Sequence, residues 1–268
     1  MTVQVRDTPA FTNNPNAIFK EGVAGSVTLT TASPATITAA NASLPSGVTI
    51  NGTFVSGTPA AQTAGYYPIP FTATNANGSI TQPLNLFVVA PPGIRTSVDG
   101  QPNNLFIQAG AVATINLTTA GFPKSTPPSS WPKQLGTGMT ISFTTNMPAS
   151  GYTFAGTTDP TGKLNGAGRI RFAPSAAQTG AYTATLSAAN GVLPNASLPL
   201  TITVVKAGDT NHDGTVDCSD FTVVRNALGK TAGKPGYDVR ADINYDGIVD
   251  VRDFSFVSAH LPQGTVCR

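Results

Sequence analysis

Between Asp209 and Asp220 the chain sets oxygen-bearing side chains at the first, third, fifth, ninth and twelfth places of a twelve-residue stretch, with glycine sixth. The same pattern returns 33 residues later, from Asp242 to Asp253, and the 20 positions from each start share 10 identities. Each stretch carries four carboxylates, which would repel one another strongly without a cation. Hard divalent ions such as calcium take six to eight oxygens, and alternate residues of a tightly turning loop can all face one ion. The spacing assigns one calcium to Asp209, Asn211, Asp213, Asp217, Asp220 and the backbone carbonyl of Thr215. A second falls to Asp242, Asn244, Asp246, Asp250, Asp253 and the carbonyl of Ile248. Val216 and Val249, at the eighth places, are expected to turn inward and couple the loops.

Apolar residues then follow at helical spacing, Phe221, Val224 and Leu228 after the first loop and Phe254, Val257 and Leu261 after the second. Each set makes one stripe of a short helix. No comparable helix precedes the first loop, where Thr201–Val205 reads as a strand.

These loop–helix units resemble the type I dockerin. Both twelve-residue loops, both exit helices and the phrase Gly236–Ile243 (GYDVRADI) carry the resemblance, over about 206–265. It implies a small all-α module that binds a cohesin domain of a scaffoldin or cell-surface protein in the presence of calcium. Cohesin contact would fall to Cys218, Ser219, Arg225 and Asn226 in one repeat and to Val251, Arg252, Ser258 and Ala259 in the other. The familiar Ser-Thr pair is absent from these positions. The two cysteines, Cys218 and Cys267, both lie in this module. In an extracellular chain two cysteines pair more often than they stay free, so a disulfide is expected, with free thiols the alternative. His212 and His260 are expected on the module surface.

The acids are distributed unevenly. Residues 1–205 hold only Asp7, Glu21, Asp99 and Asp159, and the remaining nine acids, all Asp, lie in the last 63 residues. A net charge of +2 gives no case for nucleic acid, and no apolar run reaches the length of a transmembrane helix. A glycosidase needs paired carboxylates and a serine triad needs histidine, so the first 205 residues read as non-catalytic and no catalytic or organic-cofactor residue is assigned.

Those residues are Thr, Ser, Asn, Gly and Pro around short runs of period-two alternation, such as Tyr66–Thr74, Met139–Thr144 and Leu198–Val205. Ala60–Thr63 (AAQT) recurs as Ala176–Thr179, each followed by Gly and Tyr (Gly65 and Tyr67, Gly180 and Tyr182), so the stretch holds two copies of one unit. The segment Leu44–Gly78, with its weaker echo from Met147 to Gly191, is similar to the immunoglobulin-like, cadherin-like repeats of bacterial secreted proteins, which implies β-sandwiches serving as spacers.

The chain is therefore expected to be mainly β. Two sandwiches (1–90 and 91–205) would stand in tandem before a dockerin (206–268) that takes two calcium ions. Trp131, in Pro127–Lys133, reads as a lid on a sandwich end or, alternatively, as a weak carbohydrate contact. The opening MTVQVRDTPAF lacks the basic start and apolar core of a signal peptide. Met1 is thus expected to begin a fragment of a secreted, extracellular or cell-surface protein. The alternatives to a docking protein are the non-catalytic tail of a secreted polysaccharide-degrading enzyme and a calcium-stabilised adhesin.

Overall fold

A computed structural model describes residues 7–39, 43–98, 103–124, 127–135, 138–158 and 164–267. Asp99 and Asp159 lie outside these. The chain divides into two units, one of residues 1–92, 121–138 and 190–194, the other of 93–120, 139–189 and 195–268.

The first unit is a β-sandwich. Its strands are β1 (Asn16–Lys20), β2 (Gly25–Thr28), β3 (Thr36–Ala39), β4 (Val48–Asn51), β5 (Phe54–Gly57), β6 (Gly65–Asn75) and β7 (Gly78–Thr96). One sheet runs β1-β7-β6-β3, with β1 parallel to β7, and the other runs β2-β5-β4. In β6 every second residue faces inward, so Ile69, Phe71 and Ala73 are fully buried, and Ile69 and Phe71 join Phe19, Val55, Leu84, Leu86 and Val88 in one core. The β4–β5 hairpin turns through Gly52 and Thr53, and Gly52 takes φ 60°, which glycine adopts without the Cβ clash of other residues.

Strand β7 breaks the alternation, because Leu86, Phe87, Val88 and Val89 are all buried. The cause is a second small cluster in this unit, where Phe122, Trp131, Leu135 and Val192 cover the outer residues Phe87 and Val89. The Trp131 ring lies 4.9 Å from Phe87 and 5.2 Å from Tyr66, centroid to centroid. It is half-buried, a lid on a sheet face rather than a free loop tip.

The second unit contains another sandwich with the dockerin-like segment beside it. Its strands are β8 (Asn104–Gln108), β9 (Ala113–Phe122), β10 (Thr140–Thr145), β11 (Tyr152–Thr158), β12 (Leu164–Phe172), β13 (Gly180–Ala189) and β14 (Ala196–Val205). One sheet runs β10-β13-β14-β8 and the other contains β11-β12-β9. Leu105, Ile107, Ile115, Ile170, Phe172, Leu186 and Ile202, each fully buried, fill the space between them.

The internal repeat has a structural counterpart. Tyr67 Oη donates to the carbonyl of Thr63 at 2.7 Å, and Tyr182 Oη donates to that of Gln178 at 2.9 Å. Both tyrosines thus tie the start of a long strand to the backbone four residues upstream, a corner recurrent in immunoglobulin-like sandwiches.

Beyond β14 the chain forms two helices, α1 (Cys218–Ala227) and α2 (Val251–His260). Val224, Ala227, Ala241, Ile243, Val249 and Val257 make a small core between them. Phe221 and Phe254 pack ring against ring at 4.7 Å. Leu228 falls just past the end of α1 and is exposed, so the apolar stripe read from the sequence is one residue longer than the buried face.

Candidate metal centre

Each twelve-residue loop runs into a helix whose N-terminus uses the loop's own acids. Asp217 caps α1, accepting from the Ser219 amide at 2.7 Å, while Asp220 accepts from the Asp217 amide at 2.9 Å. Asp250 and Asp253 repeat the arrangement on α2, with the Arg252 and Asp250 amides at 2.8 and 2.9 Å. These reciprocal bonds form a capping box, here with Asp in the place where Glu or Gln is usual. The ninth and twelfth loop places therefore start the helix as well as facing the loop.

The other donors are fixed by backbone amides. The glycine at the sixth place donates to one carboxylate oxygen of the first-place acid, Gly214 to Asp209 Oδ2 at 3.0 Å and Gly247 to Asp242 Oδ2 at 2.8 Å. Third- and fifth-place side chains each accept from the amide two residues on, as in Asp213 to Asn211 Oδ1 and Thr215 to Asp213 Oδ1. The twelfth-place acids reach back across the loop, Asp220 Oδ1 to the Thr210 and Asn211 amides and Asp253 Oδ1 to that of Ile243. Val249 is buried and pairs through its backbone with Gly229 and Lys230, whereas Val216 is half-buried.

Three observations bear on whether these residues fit a cation. Asp209, Asp220, Asp242 and Asp253 are all at most 3% exposed, and buried charge is costly unless it is compensated. Asp209 Oδ1 is buried with no hydrogen-bond partner. In the second loop the Arg252 guanidinium sits across Asp246 and Asp250 at 2.6 and 2.7 Å, a positive group held by two of the loop acids. As the side chains stand, no three acid, histidine or cysteine side chains among the described residues converge closely enough to hold an ion. Apart from Asp209 Oδ1, most of the loop carboxylate oxygens accept from loop amides, from neighbouring side chains or from Arg252. The donor set is all oxygen and fits a hard divalent cation.

Burial pushes the Asp253 carboxyl up to about 6 and also raises Asp242. Hydrogen bonds from the Ser219 hydroxyl and amide hold Asp217 low, and those from the Arg252 side chain and amide do the same for Asp250. A proton and a cation compete for Asp253. Cation affinity is therefore expected to be flat above about pH 7 and to fall as pH drops through 6, roughly tenfold between pH 7 and pH 5 for one displaced proton. Calorimetric titration at the two pH values checks this, and equal affinities would refute it. In the ion-free module the contribution of Asp253 runs the other way, because a raised folded pKa means that its share of stability is lost as pH rises through about 6.

Of the residues assigned to partner contact, Ser219, Arg225 and Asn226 on α1 and Val251, Arg252, Ser258 and Ala259 on α2 are all exposed. Ser219 and Arg252 also bond the ninth-place acids of their loops. Cys218 is half-buried and bonded to Cys267, with their Cα atoms 5.3 Å apart. His260 is exposed, but His212 is half-buried and lies flat on Phe106 with centroids 4.0 Å apart. Tyr245, its counterpart in the second loop, is also half-buried. The expectation that His212 lies on the surface is thus corrected, since its ring is covered by Phe106; Tyr245 carried no expectation, because the fourth loop place supplies no ligand.

Compared with known families, residues 207–262 match the "Dockerin type I domain" and residues 8–89 the "Putative Ig domain". Nothing among curated proteins matches the chain. Similar solved structures include an I-band fragment of titin, at 16% identity and a TM-score of 0.41, with 74% of this chain and 65% of the fragment covered. Domains D1-D2 of Rst are similar at 10% identity and a TM-score of 0.48, over 74% of this chain and all of that one. The chain thus spans 65% of the titin fragment's length. Type I dockerins bind calcium and cohesin domains, and neither they nor immunoglobulin-like domains are catalytic module types.

Proposed function

We propose that this chain, with a type I dockerin behind two immunoglobulin-like sandwiches, is a calcium-dependent docking module that attaches a secreted protein to a cohesin on a scaffold or cell surface. The observation that carries the reading is the pair of loop–helix repeats inside the segment that matches the dockerin family. Two calcium ions load the loops, one on Asp209, Asn211, Asp213, Thr215, Asp217 and Asp220, the other on Asp242, Asn244, Asp246, Ile248, Asp250 and Asp253. With both loops filled, the exposed positions of α1 and α2 form the recognition surface and the sandwiches carry no chemistry of their own. An extracellular setting suits the disulfide, and among the described residues no helix is long and apolar enough to cross a membrane.

The test is a titration of the chain against a panel of cohesin domains in millimolar calcium and again in chelator. The expected result is binding to at least one cohesin in calcium and none in chelator. A folded, calcium-loaded chain that binds no cohesin would overturn the reading.

A further inference from the structure

The fourth residues of the two loops, His212 and Tyr245, both have positive φ, 65° and 58°. This left-handed conformation is uncommon for bulky side chains, and it persists where surrounding contacts hold it. Those contacts come from the second sandwich. His212 stacks on Phe106 of β8. Tyr245 Oη donates to the Phe106 carbonyl at 2.8 Å and accepts from the Phe106 amide at 3.2 Å. Since β8 is the edge strand of its sheet, one hydroxyl there satisfies two backbone groups that an open edge would leave unpaired.

The contact extends to the ligand residues themselves. Gln108, 3% exposed, brackets the start of the first loop, with Nε2 donating to the carbonyl of Asp209 and Oε1 accepting from the amide of Gly208, both at 2.8 Å. The amide of Thr114, at the start of β9, donates to the carbonyl of Asn244 at 3.0 Å. Ala111, between the two strands, is buried in the core of the helical module. One short stretch of sandwich, 106–114, therefore holds the first and fourth places of one loop and the third and fourth places of the other.

We infer that this stretch is an outer support of both calcium loops, an interaction surface whose partner is the chain's own dockerin, so that calcium binding and seating of the loops on β8 strengthen each other. The reason is geometric. The backbone turn that carries the ligand residues is the same turn that brings His212 and Tyr245 onto Phe106. Groups behind the ligands that fix their orientation commonly tune ion affinity, and the coupling is reciprocal by linkage. The second sandwich is then a working part of the calcium module rather than a spacer.

The experiment uses the full chain. Calcium affinity is measured by calorimetric titration for the unaltered chain, Tyr245→Phe, Gln108→Leu and the control Leu186→Val. The control loosens the same sandwich core at a residue outside 106–114. None of the three changes a calcium ligand. Each of Tyr245→Phe and Gln108→Leu removes two hydrogen bonds behind a loop, and about a fivefold weaker calcium affinity is expected for each, with the control unchanged. In the unaltered chain, calcium is expected to slow hydrogen exchange at the Phe106 and Thr114 amides. Unaltered affinity in both interface variants, or exchange at those amides indifferent to calcium, would overturn the inference. It rests on the calcium reading above, and the two fail differently: an unaltered chain that takes up no calcium sinks that reading, while normal uptake with indifferent variants sinks this one.

Discussion

Removing calcium is expected to melt residues 206–267 while both sandwich cores stay folded. The helical module has a small core of seven buried residues, one of which, Ala111, the sandwich supplies. Set against that core are four buried loop acids. Without an ion, the desolvated carboxylates oppose folding, and four of the acids assigned to the ions, Asp217, Asp220, Asp250 and Asp253, also cap α1 and α2. An ion present at a thousand times its dissociation constant adds about 4 kcal/mol, so two such ions would add roughly 8 kcal/mol. Scanning calorimetry in calcium should show a module transition that disappears in chelator, alongside sandwich transitions that persist. Far-ultraviolet circular dichroism should lose its helical component over the same titration. A chain whose transitions are all indifferent to chelator would show that the loops are held by protein contacts alone.

Breaking the Cys218–Cys267 bond should have the second-largest effect. The bond closes a loop of 49 residues in sequence separation, which encloses both helices and the second twelve-residue loop but leaves most of the first loop outside. The chain-entropy model puts the stabilisation near 4 kcal/mol for a loop of that length. The paired substitution Cys218→Ala with Cys267→Ala should lower the denaturant midpoint of the module with little change in that of the sandwiches. A module midpoint that does not move would mean the tail is held in place without the bond. Because Cys218 occupies the first position of α1 while its counterpart Val251 is 67% exposed, the bond also makes the two repeats unequal at a position assigned to cohesin contact.

What the residues alone disclose is local. The period-two runs Tyr66–Thr74 and Leu198–Val205 lie within β6 and β14, and the repeated Ala-Ala-Gln-Thr phrase marks corresponding corners of the two sandwiches. The loop spacing indicates where the helices begin, because the same aspartates cap them. Strands β3, β4 and β5, of four residues each, are too short for a period-two run to stand out. The roles of His212, Tyr245 and Gln108 were missed for a different reason. Each depends on a partner 100 or more residues away, and no local periodicity encodes such a contact. Trp131 is similar: it falls in the second repeat by sequence yet packs on Tyr66 and Phe87 of the first unit.

If the chain docks as proposed, it would be held at both ends and bear mechanical load, and the strand order has a consequence for that. In each sandwich the first long strand runs parallel to the last, β1 beside β7 and β8 beside β14, with five residue pairs in register in both cases. Pulling a sandwich by its two ends drags such neighbours in opposite directions along their length. The hydrogen bonds between them are then strained together in shear, rather than peeled one after another as in a hairpin opened from its mouth. In the second sandwich the seam β8–β14 includes the strand on which Tyr245 and Gln108 join the twelve-residue loops. The strand that would take the shear and the proposed support of the ion sites are therefore the same.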